Sequence, residues 1–259
     1  MNAFENRINY YELLMTYDDT SKYLEYNLPH GFSFRTYQEG DMLRWIDIHL
    51  SSGEFTSVLE GEKIFHQFFD SFIDELPKRL VFIIDDKTLE PVGCATISKV
   101  NEEGYTAAVD WVAIKKEYQG MKLSRPLISK FISLANSLGE KKLILHTQTT
   151  TWLACSLYLD FNFIPYNTDS IGWNIIKTLT NHVKLKDLDY VSEDIIYNKR
   201  NIIIYNKLLE MVIEPFNYEI WDRDNLHSVS VYKDGISYEY EYYLDGDDYI
   251  LKEVKYTVK

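Results

Sequence analysis

The sequence predicts an α/β fold, a mixed β-sheet flanked by helices, followed by a small antiparallel β-meander. The first observation is the order of strand-like and helix-like segments between residues 31 and 184, β-α-α-β-β-β-α-β-α-β. The second is that HSVSVYK, ISYEYEYY and YILKEVKYTV alternate as strands and are separated by the turn sequences KDG and LDGDD. The predicted division is an N-terminal arm over residues 1–30, an α/β domain over 31–184, and a helix with a small β domain over 185–259.

Local patterns place each element of the α/β domain. FSFRTY is predicted as a strand, followed by a helix in GDMLRWIDIHL with Asp41 as its cap and by a second helix that ends at Pro77. RLVFIID, PVGCATISKV, TAAVDWVAI and KKLILHTQTT are predicted strands. The helix marked by the spacing of Leu127, Phe131, Leu134 and Leu138 should end at Gly139. TWLACSLYLDF is predicted as a helix, and FIPYN and GWNIIKTL as closing strands. The first 30 residues are predicted as an arm or short helix, and VSEDIIYNKRNIIIYNKLLEMVI as one helix before the meander.

The chain is acidic, with 259 residues and a formal net charge of −13. This charge argues against nucleic-acid binding, which needs a basic face, and it would steer a cationic substrate, although an acidic surface also serves solubility alone. The absence of a long apolar segment and of a targeting pattern predicts a cytoplasmic protein without a membrane partner. Cys94 and Cys155 have apolar neighbours and no metal-ligand spacing, which predicts buried free thiols and no metal site.

The stretch EYQGMKLSRPL, directly after the strand AAVDWVAI, has the features of an anion-binding turn. Its neighbourhood is basic and is opposed only by Glu117; the basic residues are Lys115, Lys116, Lys122, Arg125 and Lys130. Pro126 fits only the first turn of a helix, so a helix should begin near Leu123. Free N–H groups at that helix start and the nearby lysines would bind an anion. An ordinary strand-turn-helix corner with solvated lysines is the alternative.

The residues of four segments resemble the GNAT N-acetyltransferase family. VDWVAIKKEYQGMKLSRPLI resembles the family's acyl-coenzyme A loop, whose pattern is Q/R-x-x-G-x-G/A after a bent strand. TTTWLACSLYLDFNFIPY resembles its later helix with a tyrosine before a closing "GF" strand, FSFRTYQEGD its first strand and PVGCATI its third. The resemblance covers residues 31–180, and it departs from the pattern at Lys122 and Asn162, where the family has glycine, and mildly at Ser124.

The resemblance implies that acetyl-CoA is the co-substrate. Backbone groups of Val112 and Ile114 would bond its pantetheine arm. Its pyrophosphate would be held by the N–H groups of six consecutive residues, Gln119, Gly120, Met121, Lys122, Leu123 and Ser124. A lysine at position 122 is a problem if the loop needs a positive φ or close backbone approach there.

Four side chains are candidates for the chemistry. Tyr158 stands at the family's tyrosine position, which implies a proton donor to the departing thiolate; in a chain with 21 tyrosines, a packed aromatic is the alternative. Asp110 lies amid apolar residues in VDWV, where an unpaired carboxylate is costly, so it is a candidate general base or substrate contact, with a bond to a neighbouring strand as the alternative. His146 and Gln148 alternate on the next strand as candidate substrate contacts, although a lone strand histidine is more often structural.

The leading hypothesis is an acyl-CoA-dependent N-acetyltransferase that moves an acetyl group directly from acetyl-CoA to a small-molecule amine. One rival is a degenerate module of the same fold that binds a partner without catalysis, and another is an acyltransferase for a longer acyl-CoA. A helical φ at Lys122 with its N–H in an open groove would favour the enzyme, whereas a side chain filling the groove would favour the binding module. A homodimer is left open, and neither the acceptor nor a role for residues 185–259 is predicted.

Overall fold

The computed structural model describes residues 5–166, 168, 170–211, 217–223, 226–233, 236–245 and 248–258, and their main feature is a seven-stranded mixed sheet. Along the chain its strands are β1 (Glu12–Tyr17), β2 (Phe32–Thr36), β3 (Leu80–Asp85), β4 (Pro91–Glu102), β5 (Tyr105–Ile114), β6 (Leu143–Gln148) and β7 (Ile164–Pro165). Across the sheet the order is β2-β3-β4-β5-β6-β1-β7. Neighbouring strands are antiparallel except β5 and β6, which are parallel.

Helices cover both faces of this sheet, which confirms the predicted α/β class. Those of the α/β part are α1 (Met42–Ser52), α2 (Val58–Phe69), α3 (Leu76–Arg79), α4 (Ser124–Ser137), α5 (Trp152–Asp160) and α6 (Ile171–Thr180). On one face α4 and α5 bury Phe131 and Leu159 against Val109 of β5. On the other face α1 and α2 bury Trp45 and Phe65 in a second apolar cluster.

The helix α2 ends earlier than predicted. It stops at Phe69, and a 3₁₀ segment over residues 70–75 follows because Phe72 leaves helical geometry, with φ −145° and ψ 31°. Pro77 lies in the first turn of α3 instead of ending α2, since proline is favoured where its missing N–H would have no partner. Asp41 stands at the N-terminus of α1, but its side chain does not cap the helix; it accepts hydrogen bonds from Arg35 and from the backbone N–H of Gln38.

The N-terminal segment was predicted as an arm or short helix, yet residues 12–17 form the strand β1 inside the main sheet. β1 pairs with β6 from Glu12 opposite Gln148 to Tyr17 opposite Leu143, and it also pairs with β7. The reason is visible in its burial, because Leu13, Met15 and Tyr17 alternate into the core. Leu14 sits between them and hides this alternation in the sequence.

The segment GWNIIKTL was predicted as a closing strand and is the helix α6. Ser170 accepts a hydrogen bond from the backbone N–H of Gly172 at the start of this helix. Trp173 and Ile176, three residues apart, pack on the core that contains Leu13 of β1. β1 already occupies the sheet position next to β6, so this segment does not pair there and packs on the sheet as a helix.

The C-terminal part is a helix pair and an antiparallel sheet. The single predicted helix is two, α7 (Glu193–Ile196) and α8 (Lys199–Met211), and the described sheet has four strands, β8 (Asn217–Arg223), β9 (Leu226–Lys233), β10 (Ile236–Asp245) and β11 (Asp248–Val258). β8 was not predicted, and the central residues of the two predicted turns, 234–235 and 246–247, lie outside the described residues. Tyr240 and Tyr242 are buried against Ile204 and Leu208 of α8, as their alternation predicts.

Residues near the N-terminus bond to both parts. The backbone N–H of Glu5 donates to the carbonyl of Thr150, 2.8 Å away, in the α/β part. The side-chain amide of Asn6 donates to the carbonyl of Tyr218 in β8 at 2.8 Å. The backbone N–H of Asn9 donates at 2.8 Å to Ile196, the last residue of α7. This segment therefore connects the main sheet with the C-terminal helices and sheet.

Candidate active site

The main sheet opens between its two parallel strands. β5 and β6 pair through residues 108–109 and 144–145, and no further pairing joins them in the described chain. Both strands continue past this point, β5 through residues 110–114 and β6 through residues 146–148. We call the space between these two strand ends the opening. Backbone groups that face it lack a ladder partner, so an extended ligand can bond to them as a strand would.

A strained bulge lies at the opening. The register of β4 and β5 shifts opposite Cys94 and Thr96, and Trp111 has a φ of +54°. A bulky residue in this conformation costs roughly 1–3 kcal/mol and persists only where the surroundings enforce it. The Trp111 indole is held by the ring of Trp45, 5.3 Å away between centroids, and by that of His49, 5.4 Å away. Such strain is concentrated at ligand sites, which identifies the opening as the candidate site.

The loop over residues 119–124 joins the end of β5 to α4 and has two left-handed residues, Gly120 at φ +81° and Lys122 at φ +62°. Lys122 thus has the conformation of the glycine it replaces, rather than a right-handed helical φ, and its exposed side chain does not fill the loop. The backbone N–H groups of Gly120, Lys122, Leu123 and Ser124 donate to no other group in the described residues. Those of Gln119 and Met121, also predicted to hold the pyrophosphate, instead donate to the carbonyls of Lys116 and Tyr118, because the chain makes tight turns there. They lie at the start of the 14-residue helix α4, where such groups bind phosphate.

Side chains fix this loop to the body of the protein. Gln119 Nε2 donates to the carbonyl oxygen of Ile114 at 3.1 Å, which closes the turn after β5. Tyr118 Oη donates to Asp85 Oδ2 at 2.9 Å, which ties the turn to the end of β3. The Ile114 carbonyl, one of the groups predicted to bond pantetheine, is therefore already engaged by Gln119. Val112 lies in the part of β5 beyond its pairing with β6.

The basic side chains around the loop differ in whether an acidic side chain of the protein already pairs with them. Lys115 Nζ is 2.5 Å from Asp47 Oδ2, and Arg125 Nη2 is 2.6 Å from Asp160 Oδ2. Both charges are therefore partly neutralised within the protein. Lys122, by contrast, forms no ion pair with any residue that the structure describes. Its ammonium group and the backbone N–H groups are the positive charge that this loop offers to an anion.

Tyr158 lies on α5 and is only 7% exposed. Its ring packs on Phe163, with 5.6 Å between the centroids. Burial raises the pKa of the phenol above its usual value, and the nearby groups Cys155 and Glu54 raise it further. The phenol therefore keeps its proton at neutral pH, as a proton donor must.

Asp110 and His146 lie together at the opening, on adjacent strands. Burial raises the pKa of the Asp110 carboxyl, while Ser98 and His146 lower it. His146 is held between two carboxylates, with Nδ1 3.0 Å from Glu12 Oε1 and Nε2 2.9 Å from Glu102 Oε1. Partial burial opposes the charge of His146, but the hydrogen bonds to Glu102 and Glu12 outweigh it and raise its pKa. The result is an acidic wall with a histidine in its centre whose protonated form is favoured by its two carboxylate partners.

The wall includes residues that the sequence did not point to. Glu12 comes from β1, where it pairs in register with the half-buried Gln148. Glu102 comes from the end of β4. Thr96, which pairs with Asp110 across β4 and β5, is fully buried, and its hydroxyl has no partner in the described residues. No local pattern relates residue 12 to residue 146, so only the fold brings Glu12 to this site.

A second pair was also missed. His49 in α1 is fully buried, and its Nδ1 is hydrogen-bonded to Glu54 in the turn that follows the helix. The signal in the sequence is HLSSGE, a histidine and a glutamate on either side of a glycine turn, and that pattern is too common to single out. Gly53, at φ +87°, makes the turn that returns Glu54 to His49.

The same elements are recognised by sequence comparison. The model of the acetyltransferase (GNAT) family matches residues 17–163, which is more than half of the 259 residues. The chain belongs to the GNAT acetyltransferase family. The matched region contains β5, the 119–124 loop and α5, which supply the opening, the anion-binding N–H groups and Tyr158. Membership in the GNAT family supports acyl transfer as the chemistry of this site.

Solved GNAT structures are similar to this chain at low sequence identity. A GCN5-related N-acetyltransferase from Sphaerobacter thermophilus is 14% identical, with a TM-score of 0.45 over 55% of this chain and 43% of that chain. A tandem GNAT protein from the clavulanic acid biosynthesis pathway is 14% identical, with a TM-score of 0.47 over 63% and 52%. An acetyltransferase from Streptococcus agalactiae is 16% identical, with a TM-score of 0.42 over 64% and 94%. This chain spans about half the length of the first two, and nothing about its substrate follows from them.

One further comparison and two searches of the described structure gave no match. No curated protein matches the sequence. Within the described ranges, no helix has the length and apolar character needed to cross a lipid bilayer. The same ranges contain no group of three or more histidine, cysteine, aspartate or glutamate residues placed to hold a metal ion.

Proposed function

We propose that this protein transfers the acetyl group of acetyl-CoA directly to the amine of a small molecule. The observation that carries the proposal is the 119–124 loop, where Gly120 and Lys122 are both left-handed and four backbone N–H groups at the start of α4 have no acceptor among the described residues. A loop of this shape beside a parted pair of strands suits a ligand that has a pyrophosphate and an extended amide-containing arm.

Different groups of this chain would bind the coenzyme and supply the proton for the transfer. Acetyl-CoA would supply an activated thioester. The free N–H groups of Gly120, Lys122, Leu123 and Ser124 and the Lys122 side chain would hold its pyrophosphate. Backbone groups of Val112 and the N–H of Ile114, whose carbonyl is engaged by Gln119, would bond the arm next to it. Tyr158 would give its proton to the sulfur as the C–S bond breaks. Direct transfer is favoured because both cysteines are fully buried, and burial raises the pKa of both thiols.

The acceptor would bind against the acidic wall. Glu12, Glu102 and Asp110 present carboxyl groups on that side of the opening, and the net charge of −13 attracts cations. His146 and Gln148 lie within the same wall and would contact the acceptor. Asp110 would serve either as the base or as a contact for the amine. This arrangement supports a cationic small-molecule amine as the acceptor class.

The non-catalytic alternative is less well supported. It required the Lys122 side chain to block the loop, but that side chain is exposed and the backbone keeps the glycine-like turn. A cytoplasmic location, a small-molecule partner without nucleic acid or membrane, and a homodimer stay predictions from the sequence.

The test separates binding from turnover. Calorimetric titration should show that acetyl-CoA binds far more tightly than S-acetylpantetheine, which lacks the pyrophosphate. Thiol release should then be measured against a panel of amines, with a longer acyl-CoA in parallel. Absence of acetyl-CoA binding at millimolar concentration would refute the proposal, and faster turnover of the longer acyl-CoA would refute the acetyl specificity.

A further inference from the structure

A buried chain of three side chains ends at the opening from the side of α1. His49 is 0% exposed, and its Nε2 lies 3.4 Å from Cys94 Sγ in β4. Its other ring nitrogen, Nδ1, is hydrogen-bonded to Glu54 Oε2. The imidazole is enclosed by aromatic rings, with centroids 4.5 Å away at Trp45, 5.2 Å at Phe55 and 5.4 Å at Trp111. A ring packed in this way cannot turn, so it fixes whatever it bonds.

The protons of this chain can be assigned from its chemistry. Complete burial raises the pKa of the Cys94 thiol well above its usual value, so the sulfur keeps its proton. The thiol can donate to His49 Nε2 or to the Trp111 carbonyl, both 3.4 Å away. When Nε2 accepts, the neutral imidazole carries its proton on Nδ1 and donates it to Glu54. One carboxylate oxygen of Glu54 is then held by His49.

The other oxygen of Glu54 is available. Within the described residues Glu54 Oε1 accepts no hydrogen bond, and the side chain is 21% exposed. Glu54 therefore presents one fixed and one free oxygen, which is the arrangement of an oriented base.

Glu54 also lies near the proposed proton donor. After burial and Cys155, the charge of Glu54 is the next cause that raises the pKa of Tyr158, and Glu54 raises that of Cys94 as well. Glu54 approaches from the face covered by α1 and α2, whereas Tyr158 belongs to the core on the opposite face. The carboxylate and the phenol thus belong to opposite faces of the sheet that contains the opening. Asp110, in contrast, is coupled to His146 and Glu102 in the acidic wall.

From this geometry we propose that Glu54 is the catalytic base of the transfer and that His49 is its positioning residue, an inference that rests on the function proposed above. The acceptor amine first loses its ammonium proton to solvent, and its neutral nitrogen then forms a bond to the acetyl carbon and gives one proton to Glu54 Oε1. The carbon–sulfur bond breaks with its electron pair on sulfur, and that sulfur takes the proton of Tyr158. Glu54 then returns its proton through water to the Tyr158 oxygen, which restores both groups.

The test compares Glu54→Gln, His49→Asn and His49→Leu with the wild type, using an amine that the wild type acetylates. Glu54→Gln should lower kcat about 100-fold or more while the KM for acetyl-CoA stays unchanged. His49→Asn keeps a donor near the position of Nδ1 and should retain several-fold more kcat than His49→Leu, again at unchanged KM. Exposed Glu210 on α8 supplies the matched control, and Glu210→Gln should behave as wild type.

The outcomes separate this inference from the proposed function. If the wild type turns over and Glu54→Gln is equally fast, Glu54 is not the base although the transferase assignment stands. A larger fall in kcat for Asp110→Asn than for Glu54→Gln would also overturn the inference, since it would make Asp110 the base. Failure of the wild type to bind acetyl-CoA would refute both. Melting curves of all variants, with the isosteric Glu54→Gln as the least disruptive change, exclude unfolding as the cause of a lower rate.

Discussion

Replacing Lys122 by glycine should stabilise the protein and weaken coenzyme binding. At φ +62° a lysine is in a conformation that costs a side-chain-bearing residue roughly 1–2 kcal/mol. Glycine avoids this cost but gains freedom in the unfolded chain, which takes back about 0.5–1 kcal/mol. The expected net gain is about 0.5–1 kcal/mol, or a melting temperature higher by about 1–4 °C.

The backbone conformation of Lys122 lowers stability, whereas its positive charge should strengthen coenzyme binding. An exposed ion pair contributes about 0.2–1 kcal/mol, so loss of the ammonium group should weaken acetyl-CoA binding by no more than about fivefold. Lys122→Ala removes the charge but keeps the left-handed cost, so it should bind as weakly as Lys122→Gly without the gain in stability. Thermal denaturation and calorimetric titration of the two variants measure the two effects separately.

Leu89 offers a matched control for the backbone. It has a φ of +61°, is 73% exposed and lies in the turn between β3 and β4, outside the 119–124 loop. Leu89→Gly should therefore be stabilised to a similar degree with unchanged affinity. If Leu89→Gly is stabilised and Lys122→Gly is not, Lys122 does not have the left-handed turn described here. If both Lys122 variants bind acetyl-CoA as the wild type does, its side chain does not reach the phosphates.

Other changes test the site and the fold. Tyr158→Phe should lower kcat at least about tenfold with little change in melting temperature, and because its pKa is raised, the wild-type rate should show no fall at the usual tyrosine value of about 10; unchanged thiol release in the variant would remove Tyr158 from the mechanism. Since the pKa of His146 is raised by folding, its stabilising charge is fully present below about pH 6.5 and is lost as the pH rises through the folded value. Urea denaturation should therefore show a larger cost of His146→Gln at about pH 6 than at about pH 9, and a cost independent of pH would contradict this. Asp41→Asn should cost about 2–3 kcal/mol in urea denaturation, because this carboxylate is 2% exposed and paired with Arg35; a cost below about 0.5 kcal/mol would refute it.

The elements that the sequence predicted well are those whose signal is local. The helix α4 follows from the spacing of Leu127 and Phe131 and from Gly139, whose φ of +82° ends it as expected. The strands β3, β4 and β5 each contain a run of buried residues and end at a turn. The strand β1 was missed because its partners lie more than a hundred residues away, and the same cause turned α6 into an expected strand.

In the candidate site, too, residues in a local motif could be proposed from the sequence and residues placed by tertiary contacts could not. The sequence could propose the 119–124 loop and Tyr158 because each belongs to a contiguous motif, although the lysine at 122 suggested a turn that the backbone could not make. The φ of +62° at Lys122 shows that a lysine can adopt the left-handed conformation when its neighbours hold it there. Asn162, also in place of a family glycine, is left-handed at φ +72°. Glu54 and Glu12 could not be found because their roles depend on tertiary contacts with His49 and His146.

The position of β1 has a consequence for how the chain folds. Residue 12 pairs with residue 148 and residue 17 with residue 143, so β1 is synthesised before β6 and pairs only after β6 has been made. Contacts of such sequence separation slow folding, because a long loop must close before they form. Until then β6 has a bare edge, and bare edges are where chains aggregate. A fusion or truncation that disturbs the first seventeen residues should therefore reduce the yield of folded protein while leaving every catalytic residue beyond β1 in the sequence unchanged.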